Sequence, residues 1–133
     1  VIEAKLNKRK KIDVWGDGEQ TRSFLYIDDC IEGTETVFEK DFKEPLNIGS
    51  EEQVSINQMI NMIEEIADYK VEKNYQLDKP KGVRGRSSDN KMVINKVGWQ
   101  PKYSLKEGLE KTYNWIYKQM TSEKSNAQKF TRF

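Results

Sequence analysis

Three arginines in two glycine-rich segments are the strongest candidates for chemistry in this sequence. Arg22 follows the stretch WGDGEQT, and Arg84 and Arg86 lie within GVRGR. The planar guanidinium of arginine forms paired hydrogen bonds with phosphate, and neighbouring glycines let the backbone approach a ligand closely. Two such segments could together hold a diphosphate. Alternatively, each arginine pairs with one of the 22 acidic residues, and residue types alone leave both interpretations open.

The glycines at Gly16 and Gly18 do not belong to a dinucleotide-binding motif. That motif needs Gly-x-Gly-x-x-Gly between a strand and a helix, and here Thr21 occupies the third glycine position. The residues that follow, SFLYI, are aromatic or β-branched and predict a strand. The pattern therefore predicts a hairpin or tight turn between the extended segments IDVW and SFLYI, with Asp17 and Gly18 as turn residues.

Other residue types give weaker leads. Cys30, the only cysteine, falls on an apolar helix face and is predicted to be a small buried hydrophobe rather than a nucleophile. Asp28 and Asp29 are adjacent, so their side chains diverge, and we interpret them as helix-capping residues. The sequence has no histidine, which excludes histidine-based triads and histidine-containing zinc sites within this chain. No metal site is predicted.

Composition limits the classes of partner. The 133 residues make one domain's worth of material, with 34% charged residues and a formal net charge of +1. This balance gives no electrostatic argument for nucleic acid or an anionic membrane surface. No apolar run approaches the roughly 20 residues that span a bilayer. A single cysteine suits a reducing compartment, so the predicted location is the cytoplasm.

Helical periodicity and capping residues predict five helices. The first is an opening half-helix with Ile2 and Leu6 on one face, and it ends in the solvated basic residues Lys8 to Lys11. The other four helices begin near Asp28, Ser55, Asp89 and Ser104. Ser55 with Gln58, and Ser104 with Glu107, have the capping-box spacing. The inward face of the second helix is predicted to comprise Ile27, Cys30, Ile31, Thr34, Val37 and Phe38. Met92, Val93 and Val97 are the predicted inward face of the fourth.

Strands alternate with these helices, which predicts the α/β class. VEKNYQL has the alternation of a half-buried strand, and LNIGS is apolar, as in one strand of a larger parallel sheet. The chain opens at Val1 in mid-helix without a capping residue, so we expect a fragment of a longer protein. Residues 1–120 form the predicted domain, and the polar residues 121–133 form a tail.

Four stretches together resemble the C-terminal half of the extended short-chain dehydrogenase/reductases that act on nucleotide sugars. They are WGDGEQTRSFLYIDDCIEG, EPLNIGSEEQVSINQM, GVRGRSSDN and GWQPKYSLKEGLEKTYNWI. Within that superfamily the chain is most similar to the GDP-mannose 3,5-epimerases, and the Gln20-Thr21-Arg22 triplet and GVRGRSSDN are the most specific parts. The other parts are shared by many nucleotide-sugar epimerases and dehydratases.

The resemblance implies a set of site residues. Arg22 and Arg86 would hold the diphosphate of the substrate, Gln20 and Thr21 would also contact it, and Lys5 is similar to another substrate-contacting lysine. It also implies a Rossmann-like α/β fold, in which this chain supplies the substrate domain and LNIGS joins the nucleotide-binding sheet. Catalytic and NAD-binding residues would lie before Val1, so this chain alone is expected to be inactive.

The implied reaction of the whole enzyme is epimerisation with tightly bound NAD. Transient oxidation at C4 of the hexose would acidify the protons at C3 and C5, which an acid/base pair exchanges between faces. The implied full-length protein is a cytoplasmic homodimer that binds neither nucleic acid nor membrane. Two alternatives remain: a 4-epimerase or 4,6-dehydratase of the same superfamily, and a non-catalytic binding domain.

Overall fold

The computed structural model describes residues 1–122, and their arrangement confirms the predicted α/β class. The elements are α1 (Ile2–Leu6), β1 (Lys11–Trp15), β2 (Thr21–Ser23), α2 (Ile27–Glu39), β3 (Gln53–Ser55), α3 (Ile56–Ala67), β4 (Glu72–Gln76), β5 (Gly85–Arg86), α4 (Lys91–Val97) and α5 (Leu105–Ser122). The predicted tail begins inside α5, and its residues 123–133 lie outside the described part of the chain.

The strands form two small sheets rather than the predicted hairpin. β1 pairs in parallel with β4, whereas β2 lies between β3, antiparallel to it, and β5, parallel to it. The hairpin prediction is wrong because β1 finds a five-residue partner in β4 and the turn then leads the chain into a different sheet. The turn itself is confirmed, since Gly16 and Gly18 have φ values of 79° and 76°. A Cβ on Gly18 would lie 2.3 Å from Asn57 Oδ1.

Both predicted capping boxes are confirmed. The Gln58 backbone N–H donates to Ser55 Oγ at 3.1 Å, and the Ser55 N–H donates to Gln58 Oε1 at 2.8 Å. At the start of α5 the Ser104 N–H donates to Glu107 Oε2 at 2.8 Å. Donation by the Ser104 hydroxyl and N–H lowers the pKa of Glu107. These local contacts fix where α3 and α5 begin.

The core lies under α2 and α4, and we call its buried residues Val93, Val97 and Trp99 the tryptophan layer. Leu25, Val37, Phe42, Leu46 and Ile48 pack against it. Gly33 of α2 admits the indole, because a Cβ there would lie 2.7 Å from Trp99 Cε2. Gly98 ends α4 in the left-handed conformation, as its position after the apolar run predicts.

The predicted inward faces of α2 and α4 are wrong in part. Ile27, Ile31 and Phe38 are 58%, 49% and 85% exposed. The helix is rotated so that Asp29 and Gly33 are buried, because Gly33 is the position at which Trp99 can approach. On α4, Met92 is 49% exposed while Val93 is fully buried.

Asp29 has a different role from the predicted cap. The N-cap position of α2 is Tyr26, with no side-chain cap hydrogen bond. The Asp29 carboxylate, 1% exposed, instead accepts the backbone N–H groups of Lys102 and Tyr103 at 3.0 and 3.1 Å. It therefore fastens the segment that follows Trp99 to the start of α2. The N-cap position of α4 is Asn90 rather than Asp89, but the Asp89 carboxylate does accept the backbone N–H of Lys91, the first residue of the helix, at 3.0 Å.

Two further segments differ from expectation. The predicted strand LNIGS has no strand assignment and no ladder partner within residues 1–122. The basic residues after α1 do not continue the helix: Lys8 has a φ of 54°, and Lys11 already begins β1. The pairing of β1 with β4 overrides the helical pattern after α1, whereas LNIGS has no partner strand within the described range with which to form a ladder.

Candidate functional site

A surface cleft of about 330 Å³ lies between the Gly16–Gly18 turn and the segment that leads into β5. It is lined by Asp17, Glu19, Gln20, Lys81, Gly82 and Arg84. The two walls are joined by backbone pairing, since the Thr21 N–H donates to the Arg84 carbonyl at 2.9 Å. The glycine-rich segments singled out in the sequence therefore meet at one place. We call Gln20, Arg22, Gly82, Arg84 and Arg86 the arginine cleft.

Arg22 and Arg86 are directly opposite one another on β2 and β5. Paired strands are about 4.8 Å apart, so both side chains start on the same face of the small sheet. Arg22 Nη1 donates to the Thr21 carbonyl at 2.6 Å, and Nη2 donates to the Lys81 carbonyl at 3.3 Å. Arg86 is exposed, and its guanidinium has no hydrogen bond or ion pair within residues 1–122. The structure thus brings together the two arginines that were predicted to bind the diphosphate.

The segment at Lys81 and Gly82 is held against the glycine turn. Lys81 Nζ pairs with Asp17 Oδ2 at 3.0 Å, and Gly82 has a φ of 66°. A Cβ on Gly82 would lie 3.3 Å from Arg22 Nη2, so glycine permits the close approach. The Glu19 backbone N–H, and after it Lys81, lower the pKa of Asp17, so this carboxylate is charged at neutral pH.

Gln20 and Thr21 lie on β2 or immediately before it, with different surroundings. Gln20 lines the cleft; its Nε2 donates to the Trp15 carbonyl at 3.0 Å, and its Oε1 is buried without a donor among the described residues. Thr21 Oγ1 donates to Gln53 Oε1 at 3.1 Å and would meet a Cβ on Gly85 at 2.8 Å. The Thr21 hydroxyl is therefore directed at its neighbouring strands.

Lys5 lies away from the arginine cleft. Its ammonium donates to the carbonyl of Ala67, the last residue of α3, and lies 5.7 Å from the ring centroid of Tyr117. The other end of α3 follows β3 and adjoins the cleft. At a rise of 1.5 Å per residue, the length of α3 separates them by roughly 17 Å. The structure therefore does not bring Lys5 together with the arginines, and its substrate contact stays a prediction.

Lys81 lines the cleft although it was not among the predicted site residues, and Arg84 also lines it. Residue type made Arg84 a candidate for phosphate binding, but the resemblance implied Arg86 and not Arg84. The strands that join the two walls, β2 and β5, have three and two residues, too short to show an alternating pattern in sequence. The available signal was the presence of both arginines in the glycine-rich segment GVRGR.

The glycine turn is not a dinucleotide-binding loop, and the described residues contain no cluster of metal ligands. The Gly16–Gly18 turn leads into strand β2, whereas pyrophosphate binding requires a helix N-terminus at that point. No group of three or more cysteine, aspartate or glutamate side chains in residues 1–122 could hold a metal ion. Over the same range, no helix has the length and apolar character needed to cross a membrane.

The sequence of this chain matches a known family and several known enzymes. The family described as GDP-mannose 4,6 dehydratase matches residues 1–112. GDP-mannose 3,5-epimerase from Arabidopsis thaliana is 47% identical over 115 residues, which cover 86% of this chain and 30% of that protein. GDP-L-fucose synthase 1 from the same plant is 32% identical over 117 residues, covering 87% of this chain and 36% of that protein.

A solved structure has the same arrangement of elements. It is a variant of UDP-glucuronic acid 4-epimerase from Bacillus cereus in complex with UDP-4-deoxy-4-fluoro-glucuronic acid and NAD. The match has a TM-score of 0.79 and 35% identity, and it covers 90% of this chain and 38% of that one. The chain thus spans about a third of the length of the proteins it matches.

Proposed function

Because this chain belongs to the GDP-mannose 4,6-dehydratase family of nucleotide-sugar epimerases and dehydratases, we propose that it is the nucleotide-sugar-binding part of an NAD-dependent GDP-mannose 3,5-epimerase. Such an enzyme interconverts GDP-mannose and GDP-L-galactose. The 47% identity to the plant 3,5-epimerase supports this choice of reaction within the family. The chain corresponds to 30% of that enzyme, so the proposal concerns the full-length gene product.

The observation that carries the proposal is the in-register pair of Arg22 and Arg86 beside a polar cleft. A diphosphate carries negative charge that two guanidiniums can bind in fork geometry. Fixing the diphosphate at this edge would orient the attached hexose, which lowers the entropic cost of reaction. Gln20 would offer its amide to the bound substrate, and Thr21 would hold β2 in place through Gln53.

The described residues are proposed to bind and orient substrate rather than to make or break bonds. The glycine turn does not have the strand-to-helix form that a dinucleotide requires, so NAD would be held mainly by residues outside this chain. The isolated chain is accordingly proposed to be inactive. Lys5 would be a further substrate contact only where the hexose or nucleotide extends along α3.

The experiment that tests the proposal follows hydrogen exchange at the sugar. The full-length, NAD-loaded protein is incubated with GDP-mannose in heavy water, and proton NMR monitors the C3 and C5 signals. Loss of both signals is expected, because a 3,5-epimerase removes and returns both protons. Retention of both signals by NAD-loaded enzyme would contradict the proposed reaction.

A second candidate keeps the family and changes the reaction to a 4-epimerase or 4,6-dehydratase. It is supported by the family match, named for a 4,6-dehydratase, and by the structural match to a 4-epimerase. A panel of GDP-, UDP- and dTDP-sugars, analysed for products by NMR, distinguishes these reactions. Absence of turnover with every nucleotide sugar would favour a non-catalytic binding domain.

The proposal extends to assembly and location. We expect the full-length protein to be a homodimer, which light scattering coupled to size-exclusion chromatography measures directly. We expect it in the cytoplasm, since its one cysteine in this region suits a reducing compartment. Cell fractionation tests that expectation.

A further inference from the structure

Arg84 is a cation of the arginine cleft that has no partner in the structure. It lines the cleft, yet its guanidinium forms no hydrogen bond or ion pair with any residue of the described 1–122 range. Its backbone is fixed, because its carbonyl accepts the Thr21 N–H at 2.9 Å. An arginine that is held at the main chain and unpaired at the side chain is positioned to bind something else.

Arg84 lies immediately before the paired residues of β5. The register pairs Thr21 with Gly85 and Arg22 with Arg86, and the Thr21 N–H donates to the Arg84 carbonyl. Arg84 and Gln20, the residues just before these pairs, both line the cleft. Arg84 is two residues from Arg86, which is at most about 7 Å of chain, a distance that the long arginine side chain can span.

The carboxylates of the cleft do not neutralise Arg84. Asp17 Oδ1 accepts the Glu19 N–H at 3.0 Å, and its Oδ2 pairs with Lys81 at 3.0 Å. Glu19 Oε1 accepts Asn57 Nδ2 at 2.6 Å. Asp17 is therefore paired with Lys81, Glu19 is hydrogen-bonded to the neutral amide of Asn57, and neither acid contacts Arg84. The positive charge of Arg84 is left for an anion that enters from solvent.

Arg22, in contrast, already uses both terminal nitrogens. They donate to the carbonyls of Thr21 and Lys81, so part of its hydrogen-bonding capacity holds the cleft together. A diphosphate has more acceptor oxygens than the remaining donors of Arg22 and the fork of Arg86 would satisfy. Further donors are thus needed for full pairing, and the exposed guanidinium of Arg84, which lines the same cleft, can supply them.

We propose that Arg84 is a third phosphate-binding residue of this site, contacting the diphosphate of a nucleoside-diphosphate ligand beside Arg86. The inference rests on the proposed function, because it takes the nucleotide sugar as the ligand of the cleft. It adds a residue and a role: Arg84 recognises the phosphate, not the base or the hexose. Its effect on binding is therefore the same for every ligand that shares the diphosphate.

The test compares ligands with and without the sugar. Isothermal titration calorimetry on the full-length, NAD-loaded protein measures the Kd of GDP and of GDP-mannose. Arg84→Ala and Arg84→Gln remove the charge, Arg84→Lys keeps it, and Arg9→Ala is the matched control. Arg9 loses the same charge far from the cleft, where it pairs with Glu3. Thermal unfolding without ligand confirms that each variant is folded.

We expect Arg84→Ala and Arg84→Gln to weaken both ligands by the same factor, about tenfold or more, with Arg84→Lys intermediate and Arg9→Ala unchanged. The lysine and glutamine variants carry the test if the alanine variant does not fold. Unchanged affinity in all Arg84 variants would overturn the assignment. So would a loss confined to GDP-mannose, which would place Arg84 on the hexose, or an equal loss in Arg9→Ala.

The proposed reaction and this inference fail in different ways. Titrations with UDP and dTDP extend the measurement to other nucleoside diphosphates. GDP-mannose could show no exchange in heavy water while Arg84 variants still weaken the binding of any nucleoside diphosphate. In that case the proposed reaction is wrong, but the phosphate-binding role of Arg84 is retained. If exchange occurs and Arg84 variants bind normally, the inference alone is overturned. Wild-type protein that binds no nucleoside diphosphate would overturn both.

Discussion

The arginine cleft and the contact by which Asp29 fastens the segment after the tryptophan layer to α2 use polar groups in opposite ways. The carboxylate of Asp29 is 1% exposed and both of its oxygens accept backbone N–H groups. In the cleft, Arg84 and Arg86 have donors that no described residue uses. The donors that hold Asp29 are therefore paired inside the fold, whereas Arg84 and Arg86 keep free donors where a ligand would enter; the layer itself is not fully paired, since Trp99 Nε1 is buried without a partner among the described residues. Substitutions in the two regions should separate stability from binding.

The largest expected effect is on stability, from Asp29→Ala. The change leaves the backbone N–H groups of Lys102 and Tyr103 without their acceptor and detaches the segment after Trp99 from α2. We expect the free energy of unfolding to fall by about 2–4 kcal/mol, measured by urea denaturation of the full-length protein. Asp28→Ala is the control, because Asp28 is exposed in the same helical turn. Equal losses in both variants would contradict the role given to Asp29.

Arg86→Ala should give the reverse outcome, with normal stability and weaker binding. Arg86 is exposed and supports no other residue in the described range, but it lies opposite Arg22 in the cleft. Loss of its charge-assisted hydrogen bonds should weaken nucleotide-sugar binding by about 1.5–3 kcal/mol. Calorimetric titration of the full-length protein measures this. Unchanged affinity, with an unfolding curve that matches wild type, would remove Arg86 from the site.

In a third region, the junction of α3 and β4, a buried carboxylate should make the stability of the fold depend on pH. Burial raises the pKa of Glu64, but the Val71 N–H at 2.8 Å and Lys70 at 3.3 Å outweigh it, so the net shift is downward. Because the pKa of Glu64 is lower in the folded protein than in the unfolded chain, the unfolded chain takes up the proton first as the pH falls. The stabilisation is therefore complete above the ordinary value of 4.5 and is lost below it.

Glu64→Gln should accordingly flatten the acid limb of the stability curve. We expect a loss of roughly 1 kcal/mol at neutral pH and a shrinking difference from wild type as pH falls below the ordinary carboxyl range. Denaturation at a series of pH values measures both. A constant difference at every pH would show that Glu64 acts through packing alone. Glu65→Gln, on the exposed side of the same turn, is the matched control.

The smallest effect is expected from Lys81→Met, which breaks an exposed ion pair at the cleft. The pair with Asp17 is solvated on both sides, so the Tm should change by no more than about 2 °C. The pKa of Asp17 should rise only part of the way to its ordinary value, because the Glu19 N–H is the larger cause of its lowering. NMR titration of the carboxyl carbon measures this. A large drop in Tm would show that this ion pair at the cleft contributes substantially to the stability of the fold.

Local features of the fold were predictable because their causes are local. The capping boxes at Ser55 and Ser104 depend on a contact three residues away, and the turn at Gly18 depends on one residue's freedom to adopt positive φ. The glycine-rich arginine segments were also recognisable, because composition and spacing carry that signal. The pairing of strands was not predictable, since β3 and β5 are too short to have a period.

By itself, the sequence determined the class, the starts of α3 and α5, the glycine turn and the residue types of the candidate site. Only the tertiary structure decided that β1 and β2 enter different sheets, that α2 turns Gly33 rather than Ile31 toward Trp99, and that Arg84 lies beside Gln20. The physical reason is the range of the interactions. Caps and turns are set by neighbours along the chain, whereas ladder register and close packing depend on which distant segment is there to be contacted.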